Sequence, residues 1–304
     1  MTLEQILSNA ISSQATDIHI AHMNDLTYIS QRIYGQLEAV EQQKRDCQLV
    51  NRIKMRANLD LSETRRSQEG QFLYEDHNCH CFVRVSIIPT IKGEKVALRL
   101  LPDKQRRNLA ELGFTKPLLN SLETTLGLAH GLILVCGATG AGKSTTLYAC
   151  LDKLNTGKRS IFTIEDPVEY EIPGLIQCEP NDAIEMSSLN LLKSFLRQDP
   201  DVIMVGEIRD ALTANLAVGA ALTGHLVLAT LHTNSPLDAI HRCRGWNVDF
   251  FSLVSSLHLI IHQTMYYKST FASAIFSAIE PNWNDTLPKS YEELIDQPSL
   301  WNGY

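Results

Sequence analysis

The sequence predicts an α/β protein in which a smaller α+β domain precedes a mostly parallel sheet covered by helices. Two observations predict it. Short strands follow an N-terminal helix in the first third, and apolar strand-like runs alternate with helix-like segments in the rest, which is the pattern of a parallel sheet with helical crossovers. A chain of 304 residues is long enough for two such domains. The strand-like runs are 132–136, 161–164, 202–205 and 226–230, and the helix-like segments are 143–154, 187–197, 210–222 and 236–244.

The first domain is predicted over residues 1–101 and begins with a helix over 2–15. Apolar side chains recur there at helical spacing, at Leu3, Ile6, Leu7, Ala10 and Ile11. Short strands punctuated by Gly and Pro follow, and one more helix interrupts them. The strands are expected around 17–22, 26–34, 71–75, 80–88 and 95–101, and the helix near 43–58.

Three further segments complete the predicted organisation. Residues 102–108, a charged stretch that begins at Pro102, are interpreted as a linker. The second domain is predicted over 109–268. Residues 269–304 are set apart as a C-terminal tail to which the sequence gives no role.

Composition and charge exclude some classes of partner. The formal net charge of −7 gives no support to direct binding of nucleic acid, which favours a basic stripe. The N-terminal residues show no export signal. Residues 211–237 contain no charged side chain, but polar residues interrupt them, so a buried helix followed by a buried strand is favoured over a membrane span. The sequence therefore predicts a cytoplasmic protein.

The cysteines favour reduced thiols over a disulfide framework. There are seven of them, and no two have the Cys-x-x-Cys spacing. The tightest group is His77, Cys79 and Cys81, which would share one face of a strand and form one corner of a metal site. Because a second ligand pair at the usual spacing is missing, zinc binding is the lesser interpretation.

A glycine-rich motif between a strand and a helix carries the strongest functional signal. Its glycines allow backbone N–H groups to surround phosphates, and the helix that follows adds positive potential at its N-terminus. Lys143 would contact the β- and γ-phosphates, and the hydroxyl of Ser144 would bind Mg²⁺. A chance match is the alternative, and the strand and helix on either side argue against it. The predicted nucleotide-binding residues are Gly137, Ala138, Thr139, Gly140, Ala141, Gly142, Lys143, Ser144 and Thr145.

Carboxylates follow two later strands of the predicted sheet. Glu165 and Asp166 come at the end of one apolar run, and Glu207 comes after another. Because the carboxyl ends of parallel strands surround the ligand crevice, Glu207 is expected near the γ-phosphate. Each acid alone could cap a helix or form a surface ion pair. Two such strand ends after a phosphate-binding loop favour an active site.

Two histidines lie at opposite ends of the strand-like run 226–230. His232 follows the run and is predicted on the phosphate side, where its imidazole could sense the γ-phosphate. His225 precedes the run, and a structural hydrogen bond is an equally good interpretation for it.

Four ordered blocks resemble the secretion ATPase superfamily of type II secretion and type IV pilus systems. GATGAGKSTT is similar to the family's Walker A motif, TIEDPVEYEIPG to its aspartate box, LRQDPDVIMVGEIRD to its Walker B motif and ALTGHLVLATLHTN to its histidine box. The resemblance is strong over 128–245 and weaker over 14–101, where QATDIHI and RVSIIPTIKGEKVALRLL are similar to the family's N-terminal domain.

The resemblance implies a RecA-like P-loop ATPase domain preceded by a PAS-like N-terminal domain, assembled into a hexameric ring that uses ATP and Mg²⁺. It implies Glu207 as the catalytic carboxylate and places Glu165 and Asp166 in the network of metal and water. Arg84 and Arg99 match arginines that reach the γ-phosphate from the N-terminal domain, a role that suits guanidinium groups. The alternative is that both arginines are ordinary surface residues of strands.

Some features distinguish members within the superfamily. The direct connection from EDPVEY to IPGLIQ resembles assembly ATPases more than retraction ATPases. The chain shows no extra N-terminal domain and no four-cysteine insert. It has His262-Gln-Thr-Met265 where the family usually has Gln-Arg-Leu near the end of the last core helix. These departures are similar to the compact ATPases of competence pseudopili, which help bacteria take up DNA.

The resemblance therefore implies a motor that powers assembly of a pilus-like or secretion fibre. Its expected partners are further copies of the chain and an inner-membrane platform protein, which would hold it at the inner face of the cytoplasmic membrane. Two alternatives stay open at this point. One is a catalytically weak scaffold that binds nucleotide, and the other is a translocation ATPase of the conjugation type.

Overall fold

The computed structural model describes residues 1–23, 26–33, 36–44, 46–76, 79–102, 107–268, 271–283 and 287–304. The chain divides into two compact units, Met1–Gln105 and Arg106–Tyr304. Most of the predicted linker lies outside the described residues.

The first unit is a six-stranded sheet with two helices. Neighbouring strands in the order β3-β2-β1-β6-β5-β4 pair antiparallel, and the apolar face of the sheet packs with α1 and α2 in one core. The elements are α1 (Leu3–Ser12), β1 (Asp17–Met23), β2 (Leu26–Ile33), β3 (Gln36–Lys44), α2 (Cys47–Arg56), β4 (Gln68–Asp76), β5 (Cys79–Thr90) and β6 (Gly93–Pro102).

One boundary in this unit corrects the sequence prediction. The helix expected near 43–58 begins only at Cys47, and the residues before it form β3. The cause is local, because Oδ1 of Asp46 accepts hydrogen bonds from the backbone N–H of Gln48 at 3.0 Å and of Leu49 at 3.2 Å. A carboxylate that satisfies these free donors fixes the start of a helix.

The second unit is an eight-stranded sheet with helices on both faces. The strand order is β14-β13-β12-β7-β11-β10-β8-β9, in which neighbours from β12 to β9 are parallel and β12, β13 and β14 are antiparallel. The elements are α3 (Lys116–Leu126), β7 (Gly131–Cys136), α4 (Lys143–Leu154), β8 (Ile161–Ile164), β9 (Ile176–Cys178), α5 (Ser188–Phe195), β10 (Val202–Val205), α6 (Ala211–Leu222), β11 (Leu226–Leu231), α7 (Pro236–Gly245), α8 (Phe250–Ser256), β12 (Leu257–Lys268), β13 (Phe271–Pro281), α9 (Tyr291–Asp296) and β14 (Trp301–Gly303).

The central strands of this sheet are buried on both faces. In β7, Leu132 and Leu134 pack with α5, α6, α7, α8 and α9, whereas Ile133 and Val135 pack with α3 and α4. Alternate side chains of a strand point to opposite faces, so a sheet covered on both sides needs continuous apolar runs. That requirement explains the four strand-like runs in the sequence.

The uncharged stretch 211–237 supplies parts of this core. It forms α6 and β11, and it leads into α7. Among the described residues, the structure contains no helix with the length and apolar character that crossing a membrane requires.

The segment 269–304, set apart in the sequence as a tail, contributes two strands to the sheet of the second unit. β13 pairs with β12, and β14 pairs with β13. Its helix α9 is tied to the last strand, because Trp301 Nε1 donates to the backbone oxygen of Leu294 at 2.9 Å. The neighbouring motif at 262–265 lies on β12 and not near the end of a helix, which corrects the expectation from the resemblance.

Candidate nucleotide site

The glycine-rich loop joins the carboxyl end of β7 to the first turn of α4. Gly137, Gly140 and Gly142 have φ values of 147°, 80° and 85°, in the region that favours glycine. Gly142 is the residue before Lys143, which begins the helix, and no side chain caps the helix there. The N–H groups of a first helical turn lack intrahelical partners, so the loop presents donors that suit an anion.

Lys143 is folded back over this loop. Its Nζ donates to the backbone oxygens of Gly137 and Ala138, both at 2.9 Å, and the residue is 8% exposed. Burial lowers the pKa of Lys143, and the negative charge of Glu207 opposes that shift by stabilising the ammonium. A phosphate would act in the same direction as Glu207. Ala138, Thr139, Gly140 and Ser144 are exposed, and Ala141 is buried.

The strand ends bring the predicted acids to the same edge of the sheet as the loop. The backbone N–H of Gly206 donates to the oxygen of Ile164 at 2.7 Å, and that of Gly137 donates to the oxygen of Leu231 at 3.3 Å. A Cβ on Gly206 would lie 2.8 Å from the oxygen of Ile164, so this approach requires glycine. The residues that follow β8, β10 and β11 therefore converge beside the glycine-rich loop.

Glu207 is held by two side chains. Its Oε1 lies 3.0 Å from Nε2 of His232, and its Oε2 accepts from Nε of Arg209 at 2.8 Å. Arg209 also contacts Oδ2 of Asp166 at 3.0 Å through Nη1, and its pKa is raised, mainly by the hydrogen bond to Glu207. Arg209, to which the sequence gave no role, thus joins Glu207 to Asp166, and His232 contacts Glu207 directly.

Glu165 is placed differently, in a buried network. It is 5% exposed. Its Oε1 accepts from Oγ1 of Thr163 at 2.5 Å and from Nε2 of Gln177 at 3.0 Å, and its Oε2 accepts from the hydroxyl of Tyr148. Protein donors therefore occupy both oxygens of this carboxylate. A direct part for Glu165 in the metal and water network stays a prediction.

The oxygen atoms available at this edge suit Mg²⁺. Mg²⁺ prefers oxygen ligands, and in phosphate sites it takes one or two from the protein and the rest from water and phosphate. Ser144 and Asp166 are exposed and supply a hydroxyl and a carboxylate. Within the described part of the chain, no group of three or more His, Cys, Asp or Glu residues could hold a metal ion by itself. A Mg²⁺ ion here would depend on the phosphates.

Tyr148 ties the helix after the loop to the segment that follows β8. Its hydroxyl donates to Glu165 and accepts from the backbone N–H of Glu169 at 3.1 Å, and its ring stacks on Tyr170 with centroids 4.5 Å apart. Burial raises the pKa of Tyr148, and the charge of Glu165 adds to the effect. Tyr148 was not singled out in the sequence, because its partners are distant along the chain.

Removing this hydroxyl is expected to destabilise the second unit. In a Tyr148→Phe variant the ring stays but Glu165 loses a buried donor, and an unsatisfied buried group costs about 1–3 kcal/mol. Urea denaturation would measure the loss in free energy of unfolding. Tyr266→Phe is the control, because that side chain on β12 is 47% exposed. Equal losses in the two variants would contradict the network.

The remaining predicted residues fall elsewhere. Nδ1 of His225 lies 3.0 Å from the backbone oxygen of Ala220, before β11 begins, so this contact is structural. Arg84 and Arg99 are paired in register on β5 and β6 of the first unit, and both are exposed. Arg99 Nε contacts Oδ1 of Asp17 at 2.9 Å. The roles of both arginines at the phosphates stay predictions.

The possible metal corner in the first unit cannot be assembled from described side chains. His77 lies outside the described residues, and so does the side chain of Cys79. The cysteines with described side chains are free of disulfides, and burial raises the pKa of Cys136 to about 11. A buried thiol with so high a pKa is inert at neutral pH.

Comparison with known families agrees with this geometry. The family described as "Type II/IV secretion system protein" matches residues 1–279. The chain belongs to this family. The predicted superfamily is confirmed, and so is the predicted fold class, a RecA-like α/β P-loop domain after a smaller N-terminal domain.

Curated relatives in the family have high sequence identity. The putative type II secretion system protein E of Escherichia coli K12 is 46% identical over 283 residues, which cover 92% of this chain and 57% of the relative. The type II secretion system protein E of Klebsiella pneumoniae is 44% identical over 267 residues, or 86% of this chain and 54% of the relative. The chain thus spans about half the length of the curated relatives it matches.

Solved structures in the comparison share the fold. The pilus retraction motor PilT with bound ADP superposes with a TM-score of 0.77 at 28% identity, covering 99% of this chain and 87% of PilT. The ATPase DotB of Legionella pneumophila superposes with a TM-score of 0.70 at 21% identity, covering 92% and 81% of the two chains. The DotB comparison supports the fold alone.

Proposed function

We propose that this chain hydrolyses ATP with Mg²⁺ as part of a cytoplasmic motor that powers assembly of a type II secretion or type IV pilus-like fibre. One observation carries the proposal. The glycine-rich loop with Lys143 and the network of Glu207, Arg209 and His232 lie at the same edge of one parallel sheet, where such folds bind ligands.

Each group at this edge of the sheet has a separate role in the proposed reaction. The N–H groups of the loop and the ammonium of Lys143 bind the phosphates, and Ser144 and Asp166 hold Mg²⁺, which neutralises charge on the phosphate oxygens. Glu207 orients the attacking water and accepts its proton, because its carboxylate is partly exposed beside the loop. His232 contacts Glu207 and would couple the presence of the γ-phosphate to the position of β11.

The comparisons support a motor rather than an isolated hydrolase. Relatives at 42–46% identity are named as type II secretion system proteins, and PilT is described as a pilus retraction motor with bound ADP. For this chain we propose a hexameric ring in which Arg84 and Arg99 close over nucleotide. The ring would dock on an inner-membrane platform protein at the inner face of the membrane. The net charge of −7 gives no support to direct nucleic acid binding.

The proposed direction of movement is assembly. We propose this direction because the chain is 46% identical to a type II secretion system protein and 28% identical to the retraction motor. A competence pseudopilus is the other candidate fibre, which the resemblance of the sequence suggested. Pilin-like and platform-protein genes beside this gene would identify the fibre.

Turnover of ATP with and without Mg²⁺ tests the proposal. The purified chain is expected to release phosphate from ATP in Mg²⁺, and chelation by EDTA should lower the rate by at least about 100-fold, because the metal supplies several kcal/mol of charge stabilisation. Restoring Mg²⁺ should restore the rate. A chain that binds ATP but releases no phosphate in either condition would instead be a scaffold.

The same preparation tests the conjugation-type alternative. Filter binding at physiological salt is expected to detect no tight DNA complex, since the chain is acidic overall. Tight binding that weakens steeply with salt would favour a translocation ATPase that contacts DNA.

A further inference from the structure

Gln263 of β12 lies directly behind the glycine-rich loop. The residue is 3% exposed, and its Oε1 accepts a hydrogen bond from Oγ1 of Thr146 at 2.7 Å. Thr146 lies in the first turn of α4 and is fully buried. One side chain of β12 therefore contacts the helix that receives the phosphates.

Gln263 also leaves no space for a side chain at either end of the loop. A Cβ built on Gly137 would lie 2.3 Å from the backbone oxygen of Gln263, and one built on Gly142 would lie 2.8 Å from its Nε2. Real Cβ atoms do not approach so closely, so the two glycines rest against Gln263. The first and last glycines of the motif are thus packed on a single residue of the neighbouring strand.

We propose that Gln263 is a positioning residue for nucleotide binding. It sets the geometry of the loop by holding Thr146 and by filling the space behind Gly137 and Gly142. The inference rests on the proposed function, because it concerns the same phosphate site. Gln263 acts through the loop and does not itself touch the nucleotide.

The strand that carries Gln263 explains why this position matters. β12 pairs parallel with β7, where His262 is opposite Cys136, so the next residue of each strand meets at the start of the loop. β12 also pairs antiparallel with β13, where Gln263 is opposite Phe276. The β12–β13 pair therefore lies against one side of the loop, and Gln263 supplies the hydrogen-bond acceptor for Thr146 there.

A double-mutant cycle in ADP affinity tests the inference. The variants are Gln263→Leu, Thr146→Val and the two combined, and isothermal titration calorimetry with Mg²⁺ measures the Kd of ADP in each folded protein. Gln263→Leu is expected to raise the Kd about tenfold, the effect of one buried hydrogen bond. Because the two residues act through one contact, the Kd of ADP in the double variant should not exceed the higher of the two single-variant Kd values.

A matched control and a kinetic readout separate positioning from general stability. Gln297→Leu changes the same residue type at an exposed position directly after α9, and its Kd should stay within about twofold of the wild type. Steady-state hydrolysis should show KM for ATP rising in Gln263→Leu while kcat changes less than about threefold, since uniform binding is lost. A merely structural Gln263 would lower the melting temperature and leave Kd and KM unchanged.

The outcomes distinguish this inference from the proposed function. If the wild type binds no ADP, both fail. If the wild type binds ADP and Gln263→Leu binds it equally well while folded, the inference alone fails. Additive effects of Gln263→Leu and Thr146→Val would also overturn it, because they would show that the two side chains do not act through their shared contact.

Discussion

Lys143→Ala is expected to lower kcat/KM for ATP by at least about 100-fold, since it removes a preorganised positive charge from the phosphates. Nζ of Lys143 is already held at the loop by the oxygens of Gly137 and Ala138, each at 2.9 Å. The ammonium therefore already lies at the loop that is proposed to bind the phosphates. Phosphate release measures turnover, and titration with ADP measures the lost affinity.

The variant is expected to remain folded. Burial lowers the pKa of Lys143, which shows that the charged form is disfavoured where it lies, so its removal relieves a cost as well as losing two hydrogen bonds. Lys153→Ala is the control, because it shortens a lysine at the other end of α4, where Nζ forms an exposed pair with Glu123 at 2.8 Å. A collapsed circular-dichroism spectrum in Lys143→Ala alone would contradict the assignment.

The candidate nucleotide site could be assembled from sequence because its main signals are local. A glycine motif between a strand and a helix fixes the loop. Glu165 and His232 directly follow buried runs, and Glu207 follows one after a single glycine. In a parallel sheet the carboxyl ends of those strands must lie at the same edge. The pattern thus places residues that are distant along the chain without any knowledge of tertiary contacts.

The interactions at the site could not be predicted because they join residues on different elements. Arg209 reaches back to Asp166 from beyond β10, and Tyr148 of α4 reaches Glu165 after β8. The only sequence signal for Arg209 was its position, two residues after Glu207. Nothing in a single sequence distinguishes the buried Glu165 from the exposed Asp166 beside it.

The last three strands of the long sheet, β12, β13 and β14, were missed for a different reason. β12 carries polar side chains such as Gln263 inside an apolar run, and the partner of Gln263, Thr146, lies more than a hundred residues earlier. β13 and β14 belong to the antiparallel part of the sheet, whose alternating pattern differs from the continuous apolar runs of β7 to β11. A search for parallel strands therefore stops before them.

Glu207→Gln is expected to lower ATP turnover by at least about 100-fold, because a general base contributes 10²- to 10⁴-fold. The amide keeps the size of the side chain and removes the carboxylate that orients water and takes its proton. ADP affinity should change little, since the loop and Lys143 bind the phosphates. The variant would therefore separate binding from chemistry, and phosphate release together with ADP titration measures the two.

The fold should tolerate this substitution. Arg209 is 61% exposed and keeps Asp166 at 3.0 Å when the charge of Glu207 is lost, and exposed ion pairs contribute little to stability. Glu123→Gln is the matched control, because that acid pairs with Lys153 at the far end of α4. If Glu207→Gln binds ADP and releases phosphate as fast as the wild type, Glu207 is not the base. The contacts of Glu207 with Arg209 and His232 would then hold strand ends together and carry no chemistry.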